Sequence, residues 1–161
     1  MPSVLLIAYG NPLRSDDGLA WQAADELERI SDSDKLEILR VHQLAPELAA
    51  SISRSDAVIF LDAAAPSREA RPGEIFVEKI QPGETANPGA FCHAFSPESV
   101  LAMAQQLYGA RQDAYFVSMV GETFAHGESL SPAVAAGLPA MVERIHRLVE
   151  QIVSANRSFK P

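Results

Sequence analysis

Asp16, Asp17, Asp62 and His93 carry the chemistry legible in this chain. Asp16 and Asp17 sit in Tyr9-Gly10-Asn11-Pro12-Leu13-Arg14-Ser15-Asp16-Asp17-Gly18, which directly follows the apolar run Val4-Leu5-Leu6-Ile7-Ala8. Asp62 closes a second continuous apolar run, Ala57-Val58-Ile59-Phe60-Leu61, and His93 precedes the helix-start pair Ser96-Pro97. In an open α/β sheet, the loops at the carboxyl ends of the strands form the ligand crevice. Asp17, Asp62 and His93 can therefore face one end of the sheet. Two carboxylates and an imidazole suit a divalent cation of borderline hardness, nickel or zinc. Three protein ligands leave coordination positions open, as a catalytic or substrate-carried metal requires. Of the adjacent acids, Asp17 is the expected ligand. Asp16 is expected to cap a helix, hold the loop or position an attacking water.

The elements that must position these residues alternate between strand and helix. Continuous apolar runs read as buried strands, so Val4–Ala8 and Ala57–Leu61 are expected at the centre of a sheet. Asp17 to about Ile30 reads as a helix with Ala20, Ala24, Leu27 and Ile30 on one face. Leu36–His42 alternates apolar and polar residues and fits an edge strand. A short helix follows, with Pro46 in its first turn and Leu48 and Ile52 facing inward. The connection Ala63–Gly73, broken by Pro66 and Pro72-Gly73, is too short for a crossover helix, so the fourth strand, Glu74–Ile80, is expected to run antiparallel.

A long loop, Gln81–Phe95, leads to a helix that ends at Tyr108, with Ser96 as cap, Pro97 at its first position and Phe95 and Val100 as a hydrophobic staple. Val100, Leu101, Ala104, Leu107 and Tyr108 fall at helical spacing along it. Tyr115–Val120 is the last strand. Ser131-Pro132 opens the final helix by the same cap logic; Gly137 and Pro139 should kink it, and Met141, Val142, Ile145, Leu148, Val149, Ile152 and Val153 form its apolar stripe. The tail from Asn156 to Pro161 is expected to fray.

Other constellations are weaker. Cys92 adjoins His93, but neighbours in an extended segment point to opposite sides and cannot form a catalytic dyad; Cys92 reads as a small buried residue. Ser129 and Ser131 are helix-start residues, and His42, His126 and His146 lack a partner pattern, though His126 can border the crevice. The methionines and aromatic residues read as core. A dinucleotide-binding turn would need two further glycines after Gly10; here Pro12 interrupts the loop and two acids would repel a pyrophosphate.

Together these segments resemble the hydrogenase maturation endopeptidases, metal-dependent proteases that trim the C-terminal extension from nickel–iron hydrogenase large subunits. The resemblance rests on Gly10 to Gly18, the strand into Asp62, His93 with Ser96-Pro97-Glu98-Ser99, and Met119-Val120-Gly121 with Leu130-Ser131-Pro132. It implies a three-layer α/β/α sandwich with a five-stranded mixed sheet. It also implies that Asp17, Asp62 and His93 contact a nickel ion already inserted in the large-subunit precursor, so that the metal is carried by the substrate; zinc or cadmium can take its place in a crystal. The first acid is often Glu among these proteins, and Asp17 is one methylene shorter. Ala20 stands where glycine is frequent, and Gln43-Leu44-Ala45-Pro46 replaces a glycine-containing loop. A noncatalytic nickel carrier for hydrogenase would use the same ligands.

Composition bounds the remainder. With 161 residues, 47% of them hydrophobic, the chain has the size of a single domain, residues 1–161, with an adequate core. A net charge of −8 disfavours nucleic acid as partner. One cysteine fits a reducing cytoplasm. Met1-Pro2-Ser3 lacks the charge and cleavage site of a signal peptide, and no apolar run reaches the roughly 20 residues of a membrane span. With no apolar stripe left over once the helices pack, a monomer is expected.

Overall fold

The computed structural model describes residues 4–83 and 95–159. In chain order the elements are β1 (Val4–Tyr9), a single 3-10 turn (Ser15–Gly18), α1 (Leu19–Ile30), β2 (Leu36–Val41), α2 (Leu48–Ser53), β3 (Ala57–Ala64), β4 (Ile75–Ile80), α3 (Pro97–Tyr108), β5 (Asp113–Val120) and α4 (Pro132–Ser158). The strands form one sheet in the order β2-β1-β3-β5-β4. β1 pairs in parallel with both β2 and β3, and β3 pairs in parallel with β5. β4 runs antiparallel to β5, as the short proline-broken connection requires.

Strand alternation sorts the core into two layers. Val4, Leu6 and Ala8 of β1 join Ala57, Ile59 and Leu61 of β3 beneath α1 and α4. Leu5 and Ile7 join Val58 and Phe60 beneath α2 and α3 on the opposite face. The central strands β1 and β3 are fully buried up to Ala8 and Leu61, which is why they read as continuous apolar runs. The chain leaves β1 for β2 through α1 on one face and returns through α2 on the other face to β3, so the strand order reverses between β1 and β3. The β1/β3 boundary is therefore the topological switch point, where such sheets open a crevice.

Ser96 accepts from the Ser99 amide at 3.1 Å while the Ser99 hydroxyl accepts from the Ser96 amide at 2.9 Å, a complete capping box. Phe95 packs against the core cluster that includes Val100. α4 runs unbroken through Pro139. Gly137 lets it approach the sheet, since a Cβ there would lie 3.1 Å from the Gly73 carbonyl oxygen and 3.2 Å from Met119 Cε.

Several expectations are corrected. β3 extends beyond Asp62 to Ala64 because β5 pairs with it through Val120. The first helix starts at Leu19, with residues 15–18 in the tighter 3-10 form. Ile30, Leu107 and Tyr108 are 52%, 65% and 55% exposed, since each lies in a last helical turn that overruns the sheet. The helix continues through Asn156 to Ser158, so the expected fraying does not begin at Asn156. Not every aromatic residue is core, because Phe76 and Phe159 are exposed along with Tyr108. Among the described residues no helix is long and apolar enough to cross a membrane.

Candidate functional site

The crevice at the β1/β3 switch point is built from strand ends whose side chains share one face. One residue beyond the last paired position, Ala8 with Leu61, come Tyr9 and Asp62. Alternation continues the rows Leu5-Ile7-Tyr9 and Val58-Phe60-Asp62, so both side chains point to the side of α2 and α3. Gly10 then turns the chain with φ +145°, and its amide donates to the Val41 carbonyl at 3.2 Å. A Cβ at Gly10 would lie 2.1 Å from the Asp17 carbonyl oxygen. The loop thus folds back on its own root, and only glycine allows it. Gly10→Ala is expected to cost at least about 1–3 kcal/mol in backbone strain and to displace Asp17, which a denaturant titration and the catalytic assay below both read.

Asp17 is half-buried, and its carboxylate accepts the Asn11 amide at 2.8 Å. Neither Asp16 nor Asp17 caps α1, whose first turn carries no side-chain cap bond. Asp62, also half-buried, accepts its neighbour's amide, Ala63 N, at 2.7 Å. Burial pushes the Asp62 carboxyl up to about 7, with the nearby Asp17 charge adding to it; the Ala63 amide and the Tyr9 hydroxyl oppose the shift. The Tyr9 phenol is raised above its ordinary value by burial first, then by the Asp62 charge, its donation toward Asp62 and the charge of Glu98. Two acids of like sign therefore converge on the crevice, with the Tyr9 phenol beside Asp62.

Asp16 points the other way. It is fully buried, and its carboxylate accepts four hydrogen bonds from the segment that joins β5 to α4: Glu122 N at 2.8 Å, Thr123 N at 3.0 Å, Ser131 N at 2.8 Å and Ser131 Oγ at 2.7 Å. Ser15 adopts φ +52°, the left-handed region that few non-glycine residues occupy. Its amide donates to the Gly127 carbonyl at 2.7 Å and its hydroxyl to the Ala125 carbonyl at 2.8 Å. That twist turns Asp16 inward and leaves Asp17 at the crevice. Asp16 thus holds the loop, and with no exposed surface it has no access to an attacking water. The expected side-chain cap by Ser131 is absent because its hydroxyl donates to Asp16 instead.

Burial opposes ionisation of Asp16, but the backbone amides of Thr123, Ser131 and Glu122 and the Ser131 hydroxyl outweigh it, holding the carboxyl below its ordinary value.

The structure thus brings Asp17 and Asp62 together and separates Asp16 from them. His93, its neighbour Cys92 and most of the expected loop lie outside the described residues. Among the described residues, no group of three His, Cys, Asp or Glu side chains is placed to hold a metal ion. Tyr9 and Glu98 were missed as site neighbours. The signal for Tyr9 was its parity with Ile7 at the mouth of a buried strand; for Glu98 it was its place in the first turn after Ser96-Pro97. His42 tilts against Trp21, with ring centroids 5.1 Å apart, and His126 is exposed.

No protein-family model matches the chain, and no curated protein does. Solved structures do. The [NiFe] hydrogenase maturation protease HybD from Thermococcus kodakarensis is 25% identical, with 92% of this chain and 99% of that one covered at a TM-score of 0.69. The hydrogenase maturating endopeptidase HybD from Escherichia coli is 22% identical, with 94% and 93% covered at 0.73. The [NiFe] hydrogenase maturation protease HycI from Thermococcus kodakarensis is 18% identical, with 91% and 92% covered at 0.70. The family resemblance carried by the motifs thus falls on solved proteins that bear that family's name, over nearly their whole length.

Proposed function

From the fold it shares with the hydrogenase maturation proteases, we propose that this chain is an endopeptidase that removes the C-terminal extension of a nickel-loaded hydrogenase large-subunit precursor. The observation that carries this reading is the facing pair Asp17 and Asp62 at the switch-point crevice. The Asp17 charge reaches Asp62 across the crevice, and a cation between two carboxylates turns their repulsion into attraction. In this reading the cation is the substrate's own nickel, and His93 completes the protein's share of its coordination. Asp17 is held by the Asn11 amide and Asp62 by the Ala63 amide, so both ligands are oriented before substrate arrives. Fixing the precursor's nickel fixes the scissile bond beside it, and orientation supplies much of the rate. The metal can also polarise the scissile carbonyl or bring a bound water's pKa to about 7. The enzyme acts as a single chain in a reducing cytoplasm.

A cleavage assay on nickel-loaded precursor tests the reading. Asp17→Ala and His93→Ala are each expected to lower the rate at least about 100-fold, in line with the cost of small misplacements at reacting centres. Full activity in either variant removes that residue from the site. A wild-type chain that takes up nickel yet cuts nothing is a carrier.

A further inference from the structure

β4 forms the edge of the sheet opposite β2. Among the described residues no strand pairs with the outer side of β4, and Phe76 and Val77 are exposed there. One face of α4 runs beside this edge. Arg144, Arg147, Leu148 and Gln151 follow the i, i+3, i+4, i+7 spacing of a helical stripe, and with Val77 they line a trough of about 190 Å³. Arg144 Nη1 donates to the Ile75 carbonyl at 3.4 Å, which puts that carbonyl on the outer side of the strand. Alternation then turns the backbone groups of Val77 and Lys79 outward as well.

The trough is basic on an acidic chain. Arg144 meets no carboxylate among the described residues, while the net charge of the whole sequence is −8. Arg147 pairs only with Glu143 on its own helix, in an exposed bridge worth little in water. Lys79 is already engaged by Asp113 at 3.2 Å. From Arg144 to Gln151 the helix rises about 10 Å, the length of about three extended residues. Alternate side chains of such a segment would face α4, about 7 Å apart, within reach of the two long arginine side chains that rise about 4.5 Å along the helix. A second copy of this chain fits poorly, because pairing β4 with β4 would bring two sets of these arginines to one edge.

We propose that this edge receives an extended acidic segment of the protein substrate, which adds as a strand beside β4 and sets its carboxylates on Arg144 and Arg147. Main-chain hydrogen bonds supply the affinity and the arginines select the charge, as in other edge-strand recognition. The proposal rests on the endopeptidase reading and names a docking surface two strands away from Asp62.

Steady-state cleavage of nickel-loaded precursor by the wild type and by Arg144→Glu/Arg147→Glu, at low salt, tests it. The double variant is expected to raise KM at least tenfold with kcat unchanged, because the crevice is untouched; an unchanged KM overturns the proposal. If the wild type cuts no precursor, the endopeptidase reading fails on its own, and a second arm decides the edge. In that arm a fluorescent eight-residue peptide of alternating Val and Asp is titrated against both proteins, beside its Val and Lys counterpart. Binding of the acidic peptide alone, weakened at least tenfold by the double variant, upholds the edge. Equal binding of both peptides, equal binding by both proteins, or no binding overturns it.

Discussion

Asp16→Ala is expected to lose about 3–5 kcal/mol of stability, because it removes the one acceptor that satisfies four donors. The substitution strands the buried Ser131 amide and hydroxyl and the part-buried Glu122 and Thr123 amides, and each buried stranded donor costs about 1–3 kcal/mol before relaxation. For a chain of this size 1 kcal/mol moves the melting midpoint by about 2–4 °C, so a fall of roughly 6–20 °C should appear in a thermal melt. Asp16→Asn should be nearly as damaging, because its amide group would confront amides that can only donate. A variant that melts within about 2 °C of wild type would show that the loop is held by other contacts.

The same network sets an acid limit. Since the folded-state pKa of Asp16 lies below its ordinary value, its contribution is fully present above about pH 4 and is lost as pH falls through the folded pKa. The Asp16→Ala melting curve should therefore converge on that of wild type in strong acid.

At Asp62 activity and stability are expected to part. On the proposed endopeptidase reading, Asp62→Asn should cut precursor at least about 100-fold more slowly, since a neutral amide cannot replace the anionic ligand that reading assigns to Asp62 and the scissile bond loses its register. Its effect on stability has the opposite sign. Asp62 is pushed up to about 7, whereas in the unfolded chain it titrates near about 4. Between those values the folded state holds a proton that the unfolded state has released, so stability falls as pH rises. The introduced amide group would keep an acceptor for Ala63 N and carry no charge. The variant should melt above wild type at pH 8 and level with it at pH 3.5, and thermal melts at the two values check this. Parallel curves would mean that Asp62 is not strained by burial and Asp17. The combination is that of a functional residue held at a cost to the fold.

Much of the architecture was legible in the sequence because burial writes directly into composition. Val4–Ala8 and Ala57–Leu61 are apolar on both faces because helices cover both faces of β1 and β3. Leu36–His42 alternates because β2 is an edge strand. The antiparallel course of β4 followed from a connection too short to cross the sheet. Errors gathered at helix ends: Ile30, Leu107 and Tyr108 fit the helical period, but period says nothing about where the supporting sheet stops.

The chain by itself determined the elements, their order and the two acids that meet, since Asp17 and Asp62 each follow a continuous apolar run and parallel strands deliver their ends to one side. What only the tertiary structure decided was the division between Asp16 and Asp17. Adjacent in sequence and alike in chemistry, they are separated by the left-handed twist at Ser15 and by four donors from residues 122–131, more than a hundred positions away. Local propensity carries no record of such partners, because a buried carboxylate is specified by the groups that fold around it. The pairing of Tyr9 with Asp62 and the arginine-lined edge of β4 arise in the same way, from strands and helices that become neighbours only when the sheet closes.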